Sequence, residues 1–285
     1  MSASPSPSYI EAEVFRVKGG AGREVRDLLA VESPLELRAR VGDEVRVVST
    51  TMRTPGDDRA LAAGFLFAER VIASAEWLQS VECVGDDAVV VRFAAPFARA
   101  AEAALHATER RFVTSGACGV CGRESLEALM EVPTTARGNG TTLRLPASLI
   151  HGLPAILKKA QATFAQTGGL HAAALFSAPD GELRAVHEDV GRHNAVDKLV
   201  GGLLLKNGLP AGDVILLVSG RASFELAQKA AMAGFPVMAA VGAPSSLAVE
   251  VARRAGITLL GFVRDGGFNV YCGGERLDGF PGQFG

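Results

Sequence analysis

The stretch DVILLVSGRASFELAQKAAMAGFPVMAAVGAPSSLAVEVARRAGITLLGFVR, residues 213–264, decides the fold. It alternates between two kinds of segment. DVILLVSG (213–220), PVMAAVG (236–242) and ITLLGFVR (257–264) are short, almost continuously apolar runs bounded by glycine or proline, the pattern of strands covered on both faces. SFELAQKAAMAGF (223–235) and SSLAVEVARRAG (245–256) open on serine, carry apolar residues at helical spacing and close on glycine. Strand, helix, strand, helix, strand in this rhythm predicts an α/β domain with a mainly parallel or mixed sheet between helices.

Upstream, LHAAALFSAPDGELRAVHEDV (170–190) reads as a hairpin turning at Pro-Asp-Gly. RHNAVDKLVGGLLLKNG (192–208) reads as a helix closed by glycine, and residues 145–169 as one helix ending on a glycine pair. The first hundred residues have a different character. AEVFRV, VRVVST, SVECVG and AVVVRF are strand-like, while DDRALAAGFLFAERVI (57–72) and PFARAAEAALHATERRF (96–112) have helical spacing. The expected organisation is a disordered tail over 1–10, a smaller α+β domain over 11–113, a cysteine arm and its following helix over 114–133, and the α/β domain over 134–285.

The totals narrow the function. A chain of 285 residues with net charge -2 has no global basic field to draw it to nucleic acid. It contains no apolar run of the ~18 residues that a membrane span needs. Its first residues have neither the basic nor the apolar region of a secretory signal. The four cysteines are too sparse for a disulfide framework and fit a reducing cytoplasm. Cys83 and Cys272, alone in strand-like runs, are expected to be buried small hydrophobes.

Ligands of open α/β sheets collect beyond the carboxyl ends of the strands. Three segments are expected there. SGRAS (219–223) offers two hydroxyls, helix N–H groups and Arg221 to a phosphate. GAPSS (242–246) does the same without a cation. FVRDGG supplies Phe262, Val263, Arg264, Asp265, Gly266 and Gly267, with the arginine suited to pyrophosphate and the aspartate to a guanine edge. Neither a phosphate-loop lysine motif nor G-x-G-x-x-G is present, which argues against ATP hydrolysis and nicotinamide chemistry. HEDVGRHNAVDK (187–198) packs His187, Glu188, Asp189, Arg192, His193, Asn194, Asp197 and Lys198 into a strand-to-helix junction, where they either form a network or cap the helix.

Cys118 and Cys121 form a C-x-x-C inside TSGACGVCGRESLE (114–127). Such a pair can hold half a zinc site, run a dithiol cycle or present a reactive thiolate. A zinc site needs two more ligands, leaving open a split arrangement with His187 or His193. In zinc deaminases, however, a His-x-Glu precedes the cysteines, whereas here His187-Glu188 follows them. Glycines before, between and after the cysteines suit a moving carrier arm better than a rigid metal site. The helix start and Arg123 nearby favour thiolate.

MRTPGDDRALAAGFLFAERVI, GACGVCG, GGLHAAAL, HEDVGRHNAVDKLVG, SGRASFELAQKA and GFVRDGGFNVY, taken together and in order, resemble the formate dehydrogenase accessory sulfurtransferase (FdhD) family from about residue 25 to 275. The resemblance implies a cytidine-deaminase-like three-layer C-terminal domain without the deaminase zinc set, and a homodimer. It implies a sulfur carrier that receives sulfur from a cysteine desulfurase as a persulfide on Cys118. That sulfur is delivered to the molybdenum of bis(molybdopterin guanine dinucleotide), a bound substrate, for use in formate dehydrogenase. Cys121 would assist, residues 262–267 would hold the cofactor, and the protein would have no tightly held metal of its own; Arg221 joins that set by its place on the strand-end rim. His187 and His193 are neighbours of the cofactor by position. The alternatives are a zinc-dependent deaminase-like hydrolase and a cofactor-binding chaperone without sulfur transfer.

Overall fold

The computed structural model describes residues 7–114 and 143–280, which form three sheets and seven helices. The larger unit is a six-stranded sheet of β7 (His171–Ser177), β8 (Leu183–Asp189), β9 (Val214–Val218), β10 (Val237–Ala240), β11 (Thr258–Arg264) and β12 (Gly267–Cys272), in the order β12-β11-β10-β9-β7-β8. Strands β9, β10 and β11 are parallel. β7 runs antiparallel to β8 and β9, and β12 antiparallel to β11. The sheet is therefore mixed. Its outer strands are joined by hairpins, which impose antiparallel pairing, and its centre by crossover helices.

Those central strands are almost continuously apolar because both faces are covered. Ala173, Leu175, Leu216, Val218, Met238, Ala240 and Leu259 face α5 (Arg192–Leu204), α6 (Phe224–Met232) and α7 (Ser246–Ala255). The alternate residues Ala172, Ala174, Phe176, Ile215, Leu217, Val237, Ala239 and Leu260 face α3 (Ala147–Ala160) through Ile150, Leu153 and Leu157. This is the expected helix–sheet–helix layering.

The smaller unit is a four-stranded sheet of β3 (Ser33–Val41), β4 (Glu44–Arg53), β5 (Leu78–Val84) and β6 (Ala88–Phe93), ordered β4-β3-β6-β5. Leu35, Leu37, Ala39, Val89 and Val91 turn to its inner face and meet α1 (Asp58–Ala68) and, beyond it, α5 in one continuous core. Helix α2 (Ala98–Thr114) adds Ala101 and Leu105 to that core. Helices α1 and α5 touch through glycines. A Cβ on Gly201 would lie 1.8 Å from the Ala60 carbonyl oxygen, and one on Gly64 would lie 2.0 Å from that of Asp197.

Several expectations are corrected. The tail expected over 1–10 is contradicted at Tyr9 and Ile10, which belong to β1 (Tyr9–Lys18), paired along its length with β2 (Ala21–Ala30). The helix expected over 145–169 begins at Ala147 and breaks at Gln161, whose backbone leaves the helical region, before α4 (Ala162–Thr167). Cys83 is exposed near the end of edge strand β5, and Cys272 is only half-buried. The arm expected over 114–133 falls almost wholly outside the described residues. Among the described residues no helix is long and apolar enough to cross a membrane.

Candidate functional site

The loops after β9, β10 and β11 meet at one end of the large sheet. Ala222 N donates to Ala243 O and Ser245 N to Ala222 O, at 3.2 and 2.9 Å. Gly242 N donates to Gly220 O at 2.9 Å, and Phe262 N to Gly242 O at 3.1 Å. Gly242 lets the two loops approach closely: a Cβ there would stand 3.0–3.1 Å from three Arg221 atoms. Ser223 and Ser245 cap α6 and α7, accepting from Leu226 N and Ala248 N, so two of the expected hydroxyls are spent on helix ends. Ser219 Oγ accepts from Ala172 N. The exposed side chains on this rim include Arg221, Ser246, Phe262, Arg264 and Asp265.

FVRDGG is the end of β11, a two-residue turn at Asp265-Gly266 and the start of β12. Its side chains divide sharply. Val263 is fully buried among the residues facing α3 and presents no side chain to a ligand. Phe262 is 41% exposed and sits in a register irregularity with φ +53°. A large aromatic residue in left-handed backbone is a genuine outlier, and such strain concentrates at binding and catalytic sites.

Residues 187–198 form the network, and its partners come from distant chain. Asp189, fully buried, accepts from Thr54 N at 3.2 Å, Gly191 N at 2.8 Å and Asn194 Nδ2 at 3.0 Å, and pairs with Lys198 Nζ at 2.8 Å. Lys198 also donates to Thr54 O at 2.8 Å. Neither Asp189 nor Asn194 caps α5; its N-cap, Gly191, has no side-chain cap bond. Asn194 Nδ2 donates to Met52 O at 2.8 Å. Glu188 instead accepts from Thr163 N and Phe164 N, holding the first turn of α4. The loop preceding α1 thus locks onto the start of α5, with Arg53 paired to Asp58 beneath it.

The two histidines are each held by a carboxylate. His187 Nδ1 lies 3.0 Å from Asp57 Oδ2, which diverts Asp57 from capping α1. His193 Nε2 lies 2.8 Å from Glu225 Oε2 and 3.3 Å from Ser223 Oγ. One ring nitrogen serves both partners, so this is not a serine-activating triad, which needs one on each nitrogen. The hydrogen bond from His187 holds the Asp57 carboxyl below its ordinary value, and that from His193 does the same for Glu225. Burial pushes the Asp197 carboxyl up against the opposing pull of Lys229, 2.5 Å away.

His171 was not singled out from sequence. It opens β7, where a Cβ on Gly220 would lie 3.5 Å from its Nδ1. Burial, followed by the charges of Arg192 and His193, lowers its pKa from 6.5. The folded protein therefore holds it neutral, while the unfolded chain takes up the proton first. Its contribution to stability is present in full above pH 6.5 and is lost as pH falls from there through its lowered folded value. Asp57 and Glu225, both lowered, lose their contributions only below 3.8 and 4.5. Melting temperature plotted against pH should be flatter between about pH 5 and 7 in His171→Gln than in the wild type; an unchanged profile would remove this role.

Cys118 and Cys121 lie outside the described residues. Burial pushes the Cys272 thiol up, and it donates to Ile257 O at 3.3 Å, as an inert half-buried thiol does. Asp57 and Glu225 elude sequence reading because their partners lie elsewhere in the chain, 130 residues away in the case of Asp57 and His187, and His171 because only the fold buries it. Their only local signals are a histidine opening an apolar strand and acids beside helix starts.

A profile of the FdhD/NarQ family matches residues 30–278. The chain belongs to the FdhD/NarQ family. Among relatives of this member, one from Streptomyces avermitilis is 49% identical over 277 residues, covering 93% of this chain and 94% of the relative. One from Mycobacterium tuberculosis is 47% identical over 259 residues (88% and 92%), and one from Sulfurisphaera tokodaii 41% over 265 residues (93% and 97%). All three bear the name sulfur carrier protein FdhD. A crystal structure assigned to a formate dehydrogenase accessory protein of Desulfotalea psychrophila superposes with TM-score 0.74 at 25% identity, covering 95% of this chain and 100% of that one. The two-unit α/β architecture is thus shared within the family.

Proposed function

We propose that this FdhD/NarQ family member is a sulfur carrier serving formate dehydrogenase. The Cys118 thiolate attacks the outer sulfur of a persulfide on a cysteine desulfurase. A new S–S bond forms at Cys118, the desulfurase cysteine leaves as thiolate, and no net oxidation occurs. The outer sulfur then passes to the molybdenum of a bis(molybdopterin guanine dinucleotide) substrate. Residues 262–267 receive that substrate, and Arg221 and Arg264 meet its phosphates. Cys121 assists release by closing a disulfide with Cys118 or by relaying the persulfide.

The observation that carries the reading is the convergence of 219–223, 242–246 and 262–267 on one rim, with exposed arginines and the left-handed Phe262. The names borne by the relatives agree with it. The reading places the protein in the cytoplasm as a homodimer, which accords with the exposed apolar residues Ile10, Phe15, Val17 and Leu29 on the β1–β2 hairpin.

Incubation with a desulfurase and cysteine should raise the intact mass by one sulfur atom, and Cys118→Ala should abolish the gain. A Cys118→Ala variant that still supports formate dehydrogenase activity in cells would refute the carrier role. GDP should raise the melting temperature more than ADP, with Arg221→Ala or Arg264→Ala reducing the rise; equal protection by ADP would remove guanine recognition.

A further inference from the structure

The outer face of the four-stranded sheet carries a row of polar side chains unused by the proposed sulfur chemistry. Cross-strand register places Val45 of β4 beside Arg40 of β3, Arg40 beside Arg92 of β6, and Arg92 beside Ser80 of β5. Register partners share a face, so all four side chains emerge on the side opposite α1. Among the described residues, the neighbouring Ala88 and Val90 on this side join neither core cluster.

Arg40 Nε, Arg92 Nε and Ser80 Oγ are shielded from water, and none has a hydrogen-bond partner. Arg40 Nη1 reaches the Asp43 carbonyl at 3.2 Å. Among the described residues Arg92 has neither a hydrogen bond nor an ion pair. The next row holds Arg38, already paired with Glu36 at 2.6 Å, and the exposed Glu82, opposite Val90.

Two permanently charged guanidiniums side by side on adjacent strands repel. Donors hidden from water without acceptors add a further cost. Three polar side chains in one register row, each with an unpartnered atom, suit a ligand that brings several oxygens to that row. A guanidinium edge matches two oxygens at once. Two such edges and a hydroxyl suit a tetrahedral oxyanion better than a carboxylate with only two oxygens. We infer that the Arg40–Arg92–Ser80 row is a binding site for a phosphate group. The sheet and α1 separate it from the strand-end rim, so it does not rest on the sulfur-carrier reading and either can fail alone.

The test is thermal unfolding of the full chain as chloride is replaced by inorganic phosphate at constant ionic strength and pH, with 31P line broadening as a direct readout. The wild type should show a phosphate-specific rise in melting temperature and a broadened signal. Arg40→Gln and Arg92→Gln should each weaken the apparent phosphate affinity about tenfold or more. Arg92→Lys, which keeps the charge but loses the fork, should fall between. Arg38→Gln, whose parent residue is already paired with Glu36, should respond like the wild type. A parallel titration with glycerol 3-phosphate separates the sources: tighter binding than inorganic phosphate through the same arginines identifies a phosphate ester, and weaker binding the free ion. A wild type without a phosphate-specific response overturns the proposal. So does an Arg40→Gln/Arg92→Gln double variant that retains the full response, which would place the anion at the rim instead.

Discussion

Replacing Lys198 with methionine should cost about 3 kcal/mol of folding stability, the lower end of the range for breaking a buried ion pair. The Lys198 and Asp189 side chains are 2% and 0% exposed and lie 2.8 Å apart. Methionine nearly preserves the volume, so the loss is electrostatic rather than a cavity. The lower end applies because the stranded Asp189 keeps Thr54 N, Gly191 N and Asn194 Nδ2 as donors. Lys198 also donates to the Thr54 carbonyl, so its removal should loosen the loop before α1 from the start of α5. Urea unfolding at neutral pH measures the loss. Adding Asp189→Asn should recover part of it, since the second change removes the uncompensated charge. An unchanged midpoint in Lys198→Met would mean that the three remaining donors suffice.

Adjacent glycines of α5 should respond to alanine with opposite signs. Gly201→Ala should destabilise by about 3 kcal/mol, the severe end of overpacking. Its Cβ would meet the Ala60 carbonyl oxygen at 1.8 Å and Gly64 N at 2.6 Å, backbone atoms that move only if the helices separate. Gly202→Ala meets only His187 Nε2, at 3.8 Å. It should stabilise by roughly 0.4–1 kcal/mol by restricting the unfolded chain. Chemical denaturation of the two variants side by side checks the pair. Equal effects would show that α1 and α5 are not in the close contact described.

The opposite signs show where sequence reading stops. Both glycines occupy the same helix, and neither composition nor periodicity tells them apart; the identity of the facing backbone does. Strand β3 shows another kind of omission. In SPLELRARV, Leu35, Leu37 and Ala39 alternate with Glu36, Arg38 and Arg40 at the period of two that marks a half-buried strand, a fainter signal than the more apolar runs downstream. The β1–β2 hairpin is legible only in part, because most of its residues are exposed and core patterning is weak. The rim was legible because its signals are local: a strand end, a small-residue loop and a helix-capping serine.

By itself the sequence determined which segments are strands and helices in the large unit, that its central strands are covered on both faces, and which loops follow them. These are consequences of side-chain period and of glycine and proline chemistry, which act over a few residues. Only the tertiary structure decided that the loop before α1 closes on Asp189 from 135 residues away. It also decided that His187 meets Asp57, that Val263 points into the core while Phe262 turns outward, and that Arg40 stands beside Arg92. Those outcomes depend on strand register and on helices approaching to backbone contact, and the pairing of distant surfaces is encoded in how they pack rather than in any single segment.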